Sequence, residues 1–183
     1  MCAARRSARS RPSSDRERGA TLVEFALIAP LFFLLVFAII EFGFAFNDFQ
    51  SIRQGVREGA RQAVVRTYGS TTGSCGLVGS SATGAPLEVR KVMCKTKERI
   101  DIGNDVRTFV RYTAADGTAD DKGSVKVCAQ RNVDPITGFI PAIDGIPLQS
   151  KIEMRMELAI GPGISTSSSY SETPPSGESW TWC

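Results

Sequence analysis

No histidine occurs among the 183 residues, and that absence removes the commonest routes to catalysis. A Ser-His-Asp or Cys-His arrangement needs an imidazole to take the nucleophile's proton, and zinc sites of the common kinds use histidine as well. The five cysteines contain no Cys-x-x-Cys pair, so neither a metal site nor a cofactor is expected. Gly73, Gly76 and Gly79 lack the Lys-Ser/Thr that completes a phosphate-binding loop. Neighbouring carboxylates, Asp101 with Asp105 and Asp120 with Asp121, sit beside glycine and asparagine and read as solvated turns, so an enzyme is not expected. An excess of charge is also missing from most of the chain. The net charge is +3, yet residues 1–19 alone carry six arginines (Arg5, Arg6, Arg9, Arg11, Arg16, Arg18) against Asp15 and Glu17. Residues 20–183 hold 16 basic and 17 acidic groups, which leaves no basic face for nucleic acid. No small-molecule substrate is expected.

One long apolar run is present. From Phe25 to Ile40 sixteen residues carry no charge, and beyond Glu41 the chain continues Phe42 to Phe46 before polar residues return. At about 1.5 Å per residue, Ala20 to Phe46 is about 40 Å long, enough to cross a hydrocarbon core of about 30 Å with both ends in the headgroups. The expectation is one membrane-spanning helix at residues 20–46, preceded by a basic leader at 1–19. Pro30 removes one backbone donor, so a kink or loosened turn is expected near Ala26 to Pro30. The arginine-dense leader places the amino terminus in the cytoplasm by the positive-inside rule, although Arg53, Arg57, Arg61 and Arg66 on the far side weaken the asymmetry.

Two simpler readings of this region fall short. A cleavable secretory signal has an apolar core of about 7–15 residues followed by small residues; here the core is longer, and Phe42, Phe44 and Phe46 fill the place of the cleavage site. A plain anchor accounts for length and charge but not for Glu24, an ionisable group within the opening of the apolar helix, where such groups are costly.

Gly19, the small Ala20 and Glu24-Phe25 match the processing motif of type IV pilin-like proteins. The longer pattern, Gly19 to Leu27, then Pro30, Glu41-Phe42-Gly43 and Gly59-Ala60-Arg61, resembles the TadE family of pseudopilins over about the first third of the chain. The resemblance implies a prepilin peptidase that cuts after Gly19 on the cytoplasmic side, and other pilin-like subunits and pilus assembly machinery as partners beside the lipid bilayer. It implies a structural role in assembling or initiating a tight-adherence pilus, as a minor subunit, because the head is larger than in short major pilins. Glu24 is then expected to meet the freed α-amino group of Ala20 in a neighbouring copy as a register device; the competing reading is a carboxylate solvated in the headgroup zone. Glu41 reads as a headgroup-level residue at the opposite interface. The alternative to the whole assignment is an uncleaved, single-pass anchored ectodomain that binds a surface ligand and has no pilus role.

Past the span, Ile52, Val56, Ala60, Ala63 and Val64 recur on one helical face, with Arg53, Gln54, Arg57, Glu58, Arg61 and Gln62 on the others. Residues 47–66 therefore continue the helix as an amphipathic half. The Arg53, Arg57 and Arg61 face reads either as a contact for anionic lipid or an acidic partner, or as a solvated face eased by Glu58. Residues 67–183 form the extracytoplasmic head. Gly69 to Pro86 is a loop, with twelve Gly, Ser or Thr among eighteen residues. Leu87 to Ile100 reads as a short helix or a strand. Val106 to Thr113 and Ser124 to Ala129 read as two antiparallel strands. Lys151 to Leu158 alternates apolar Ile152, Met154, Met156 and Leu158 with charged residues, a strand covering one face of a core. The proline-broken connection before it, with Ile136, Phe139, Ile140, Ile143 and Ile146, either tucks under itself or forms a subunit contact. Ser165 to Ser179 reads as a mobile tail whose end, Trp180-Thr181-Trp182-Cys183, docks.

Cys2 lies in the leader, and Cys75, Cys94, Cys128 and Cys183 form an even set on the oxidising side of the membrane. Two disulfides are expected; of the three connectivities, Cys75–Cys94 with Cys128–Cys183 is favoured because the second explains a docked tail. The fold class expected is α+β: a long pilin-like helix, its second half packed on a small antiparallel sheet with disulfide-linked loops.

Overall fold

The computed structural model describes residues 14–66, 82, 84–100, 105–115, 123–136, 138, 144–160, 163–166 and 169–183. The chain divides into two units, Met1–Ile40 and Glu41–Cys183. A single helix, α1 (Ser14–Val65), 52 residues long, supplies the described part of the first unit and continues into the second. It runs through Pro30 without interruption of the helical assignment. It ends where Arg66 adopts φ of 52°, the left-handed conformation that commonly stops a helix. The Arg66 guanidinium is held there by Glu88 at 2.7 Å.

The second unit is α+β. Helix α2 (Leu87–Arg99) follows Pro86, places Glu88 in its first turn and Lys97 and Arg99 in its last, each of the sign the helix dipole favours at that end. The stretch read as helix or strand is thus a helix, and its buried Val89, Val92, Met93, Thr96 and Lys97 follow the i, i+3, i+4, i+7, i+8 pattern of one face. Four antiparallel strands complete the unit: β1 (Arg107–Thr113), β2 (Ser124–Asn132), β3 (Pro147–Arg155) and β4 (Ser169–Ser171), in the order β3-β2-β1-β4.

Register sorts the side chains into two faces. Val110 stands opposite Val127 and Tyr112 opposite Val125, while Val127 and Val125 stand opposite Ile152 and Met154. Residues paired in this way share a face. That face meets Ile52, Val56, Ala60, Ala63 and Val64 of α1 and Val89, Val92 and Met93 of α2 in one hydrophobic core. The helical stripe and the strand alternation read from the sequence therefore meet each other. One boundary needs correction. β3 starts four residues earlier than Lys151 and stops at Arg155, so Met156 and Leu158 do not extend the alternation. Met156 is still buried, its N–H donating to Gly123 O at 2.8 Å, whereas Leu158 is exposed.

The other face of the sheet carries the tail. Cys128 is bonded to Cys183 across 6.2 Å between Cα atoms. Trp182 Nε1 donates to Gln130 Oε1 at 2.8 Å, and Trp180 Nε1 to Glu172 O at 3.0 Å. The Trp180 ring lies 5.5 Å from Phe109 and 6.0 Å from Trp182, and Lys151 Nζ donates to Trp182 O at 2.7 Å. The docked tail is as expected, but the stretch before it is partly ordered as β4 and not uniformly mobile.

Just past β4 lies a buried ion pair. Lys97 Nζ of α2 meets Glu172 Oε1 at 2.6 Å, and Glu172 Oε2 accepts from Thr108 N and Oγ1 at 2.9 and 2.8 Å. Burial pushes the Lys97 ammonium below its usual range, opposed by Glu172. The pair ties α2 to the segment after β4 in one register, the use for which buried ion pairs are best suited.

Candidate assembly segment

From Gly19 to Ile40 no side chain of α1 is buried within the chain. Leu22, Val23, Phe25, Leu27, Ile28 and Leu31 are all more than half exposed. A helix that is apolar all round and uncovered by its own chain needs lipid or other helices around it. The segment is long and apolar enough to cross a membrane. Gly19, Ala20 and Glu24 are exposed on the first turns of this segment, with Phe25 beside them and Pro30 one to two turns further on.

The second half of α1 behaves differently, and the motif residues there have local reasons. A side-chain carbon built on Gly59 would overlap Thr96 Oγ1 and stand 3.1 Å from Thr96 Cβ. Gly55, one turn earlier, is tighter: the added carbon would lie 2.7 Å from Thr96 O and 2.8 Å from Ile100 Cδ1. The two glycines form the notch into which the end of α2 packs. Sequence reading missed Gly55, although glycines at i and i+4 in an amphipathic helix are the usual sign of a close neighbour. Ala60 is fully buried in the core. Arg61 forks onto Glu58 with hydrogen bonds of 3.0 and 2.8 Å, and Gln62 adds a third at 2.6 Å. These bonds, Arg61 first and Gln62 second, pull the Glu58 carboxyl down to about 2. Arg53 lies over the Phe49 ring at 5.6 Å. Two of the three arginines of that face thus have partners on α1 itself.

Between the two halves, Glu41, read from the sequence as a headgroup-level residue, has a partner in the second unit. It is 3% exposed, and its Oε2 accepts the N–H of Ile136 at 3.1 Å. Asp48 joins Arg131 at 3.1 Å, and Arg131 also reaches Asp134 at 3.4 Å. Burial raises the Asp48 carboxyl pKa, with Arg131 opposing. Phe42 and Gly43 of the same motif are open: Phe42 is exposed, and nothing approaches within 4 Å of a carbon added at Gly43.

Of the disulfide residues, Cys128–Cys183 is formed as favoured from the sequence. Cys94 is buried and disulfide-bonded, while Cys75 lies outside the described residues. Phe139, Ile140 and Ile143 lie outside them too. Among the described residues no group of histidine, cysteine, aspartate or glutamate is arranged to hold a metal ion.

The chain thus carries an apolar helix, long enough to cross a membrane and bare at its start, whose amphipathic second half is seated on a small antiparallel sheet. Residues 19–61 match the family of TadE-like proteins, and the likeness is confined to that segment. Neither a curated protein nor a solved structure matches the chain.

Proposed function

We propose that this chain is a minor pseudopilin of a tight-adherence pilus, cut after Gly19 by a prepilin peptidase and acting in pilus assembly or initiation. One observation carries the reading: within the TadE-like segment, Gly19 and Glu24 stand at the start of the apolar stretch of α1, which stays bare as far as Ile40. Glycine leaves the scissile bond without a side chain in the way. Cleavage would release the α-amino group of Ala20 about one helical turn from the Glu24 carboxylate. In a bundle of such helices that cation and the Glu24 of a neighbouring copy satisfy each other, which fixes the stagger between subunits more than it stabilises them.

The basic leader supports an amino terminus in the cytoplasm, and the Cys128–Cys183 bridge supports a head on the oxidising side. The test is the intact mass of the unreduced protein taken from host membranes. The expected species begins at Ala20 and is four hydrogens lighter than its reduced form, the Cys75–Cys94 bridge included. A chain that retains Met1 or Cys2 would overturn processing and leave an anchored ectodomain that binds a surface ligand. A Gly19→Val chain processed as fast as the parent would reject the cleavage site.

A further inference from the structure

Strand order puts β3 at one edge of the sheet, and β3 is nine residues long, whereas β4 at the other edge has three. Its register on β2 runs from Pro147 to Arg155 without a bulge. Proteins blunt such edges by shortness, bulges, proline or charge; past Pro147, β3 relies on charge alone, at Lys151, Glu153 and Arg155. The pairing also shows which backbone groups are turned outward. Val133 N donates to Ile146 O at 2.9 Å and Met156 N to Gly123 O at 2.8 Å. Bonded and non-bonded positions alternate in an antiparallel pair, so Leu148, Ser150, Ile152 and Met154 bond to β2. The N–H and C=O groups of Gln149, Lys151, Glu153 and Arg155 point the other way, and no strand among the described residues pairs with them.

An open groove of about 350 Å³ adjoins this edge, lined by Arg57, Glu58 and Arg61 of α1, Arg99 at the end of α2, and Ile152 and Met154 of β3. All of these residues belong to the second unit. Ile152 and Met154 turn towards the core but are only half-buried, so their outer sides form an apolar floor. The one carboxylate in the groove, Glu58, is already taken by Arg61 and Gln62. Arg57 and Arg99 are exposed, and no carboxylate among the described residues forms an ion pair with either. The edge thus combines outward backbone groups, an apolar floor and cations in want of a counter-charge.

We propose that the β3 edge is a docking site for an extended acidic segment of a partner protein, which adds a further antiparallel strand and turns its carboxylates towards Arg57 and Arg99. In strand addition the main chain supplies affinity and alternate side chains supply specificity. Charge names the occupant here. Residues of the added strand that stand opposite Ile152 and Met154 share their face. A glutamate at such a position lays its methylenes on the apolar floor and its carboxylate at the arginines. A basic segment would meet those arginines on one face and Lys151 and Arg155 on the other. A second copy of this chain fits less well, because its own Arg57, Arg61 and Arg99 would flank the same seam. The inference goes beyond the pilus role and rests neither on cleavage at Gly19 nor on the membrane span.

The probe is a fluorescent peptide of alternating glutamate and threonine, eight residues long by design to match a strand of ordinary length. It is titrated with the full chain in a non-ionic detergent and followed by anisotropy. Saturable binding is expected, with the lysine–threonine counterpart bound many-fold more weakly. The double variant Arg57→Gln, Arg99→Gln should bind several-fold more weakly with its melting unchanged, since both side chains are exposed. Backbone methylation then tests the geometry. With glutamates facing the arginines, the threonines supply the N–H groups that reach β3, so N-methylation of every threonine should abolish binding and N-methylation of every glutamate should spare it. No binding by the parent chain, or equal binding of the lysine peptide, would overturn the site. Indifference to both methylations would reject strand addition, and the reverse pattern would turn the carboxylates away from the arginine groove. Unchanged affinity in the double variant would remove Arg57 and Arg99 as the recognising groups. A complex of two chains that excludes the peptide would give the edge to a second copy instead.

Discussion

Helix α1 contains two experiments on one backbone. In its first half, residues 19–40, apolar side chains point in every direction and none is buried by the chain itself. In its second half, Ile52, Val56, Ala60 and Ala63 are wholly buried while Arg53 and Arg57 on the other faces stay exposed. Both halves have the same 3.6-residue period, and what differs is whether polar residues interrupt it. Where a stripe exists, the chain brings its own sheet and a second helix to cover it. Where there is no stripe, no single protein surface can cover all sides, so the solvent must be lipid or a bundle of like helices. A fully apolar helix therefore declares its environment, and an amphipathic one declares its fold.

Truncating one apolar residue in each half gives the sharpest contrast. Ile52→Ala removes a fully buried side chain from the core and should cost about 2–5 kcal/mol of head stability. Leu27→Ala, exposed in the first half, should change it by less than about 0.5 kcal/mol. Denaturant unfolding of the full chain in detergent, followed by the fluorescence of Trp180 and Trp182 on the sheet, reads both. Equal effects would mean that the head and the span unfold as one cooperative body, and the distinction between the halves would fail.

Glycine gives a second contrast, of opposite sign. Helix propensity alone favours alanine over glycine by about 1 kcal/mol in a helix interior. At Gly43 the space is open, so Gly43→Ala should not weaken the head. At Gly55 the new carbon would meet the backbone oxygen of Thr96 at 2.7 Å, an atom that cannot rotate away. The two helices must part, and overpacking of this kind costs about 1–3 kcal/mol. A stabilised Gly55→Ala, measured in the same unfolding assay, would show that α2 is not seated in the notch.

The same division explains how much could be read in advance. Period is local, so the stripe at Ile52 to Val64, the bare run from Phe25 to Ile40 and the alternation at Ile152 and Met154 were legible, and with them the α+β class. Partnership between distant residues is not local. Glu41 read as an interfacial charge because nothing near it in sequence hints at Ile136, ninety-five residues away. Glu172 sits in a Ser/Thr-rich tail that reads as solvent-exposed, yet it is fully buried. A partial signal did exist for its partner: Lys97 falls on the apolar face shared by Val89, Val92 and Met93, and a lysine there calls for an acid. β3 could not be bounded because Pro147 to Ser150 pair with β2 through the backbone, and that pairing leaves no mark in side-chain periodicity.

The smallest expected effect tests how charge is handled on the second half. Glu58 is held by Arg61 and Gln62 on its own helix, and its carboxyl falls from the usual 4.5 to about 2. A folded value below the unfolded one means that the interaction contributes fully above about pH 4.5 and is lost as pH falls towards 2. Because the Glu58–Arg61 pair lies at the solvent-exposed surface, solvent screening keeps the contribution small, and added salt should reduce it further. The melting temperatures of the parent and Glu58→Gln should thus differ slightly at pH 6 and converge near pH 2. Glu24→Gln, in the half where a partner from another copy is proposed, should leave the melting of the head unchanged throughout that range. A pH-dependent shift from Glu24→Gln in the isolated chain would place its partner within the same molecule, and the assignment of Glu24 to packing between subunits would have to be given up.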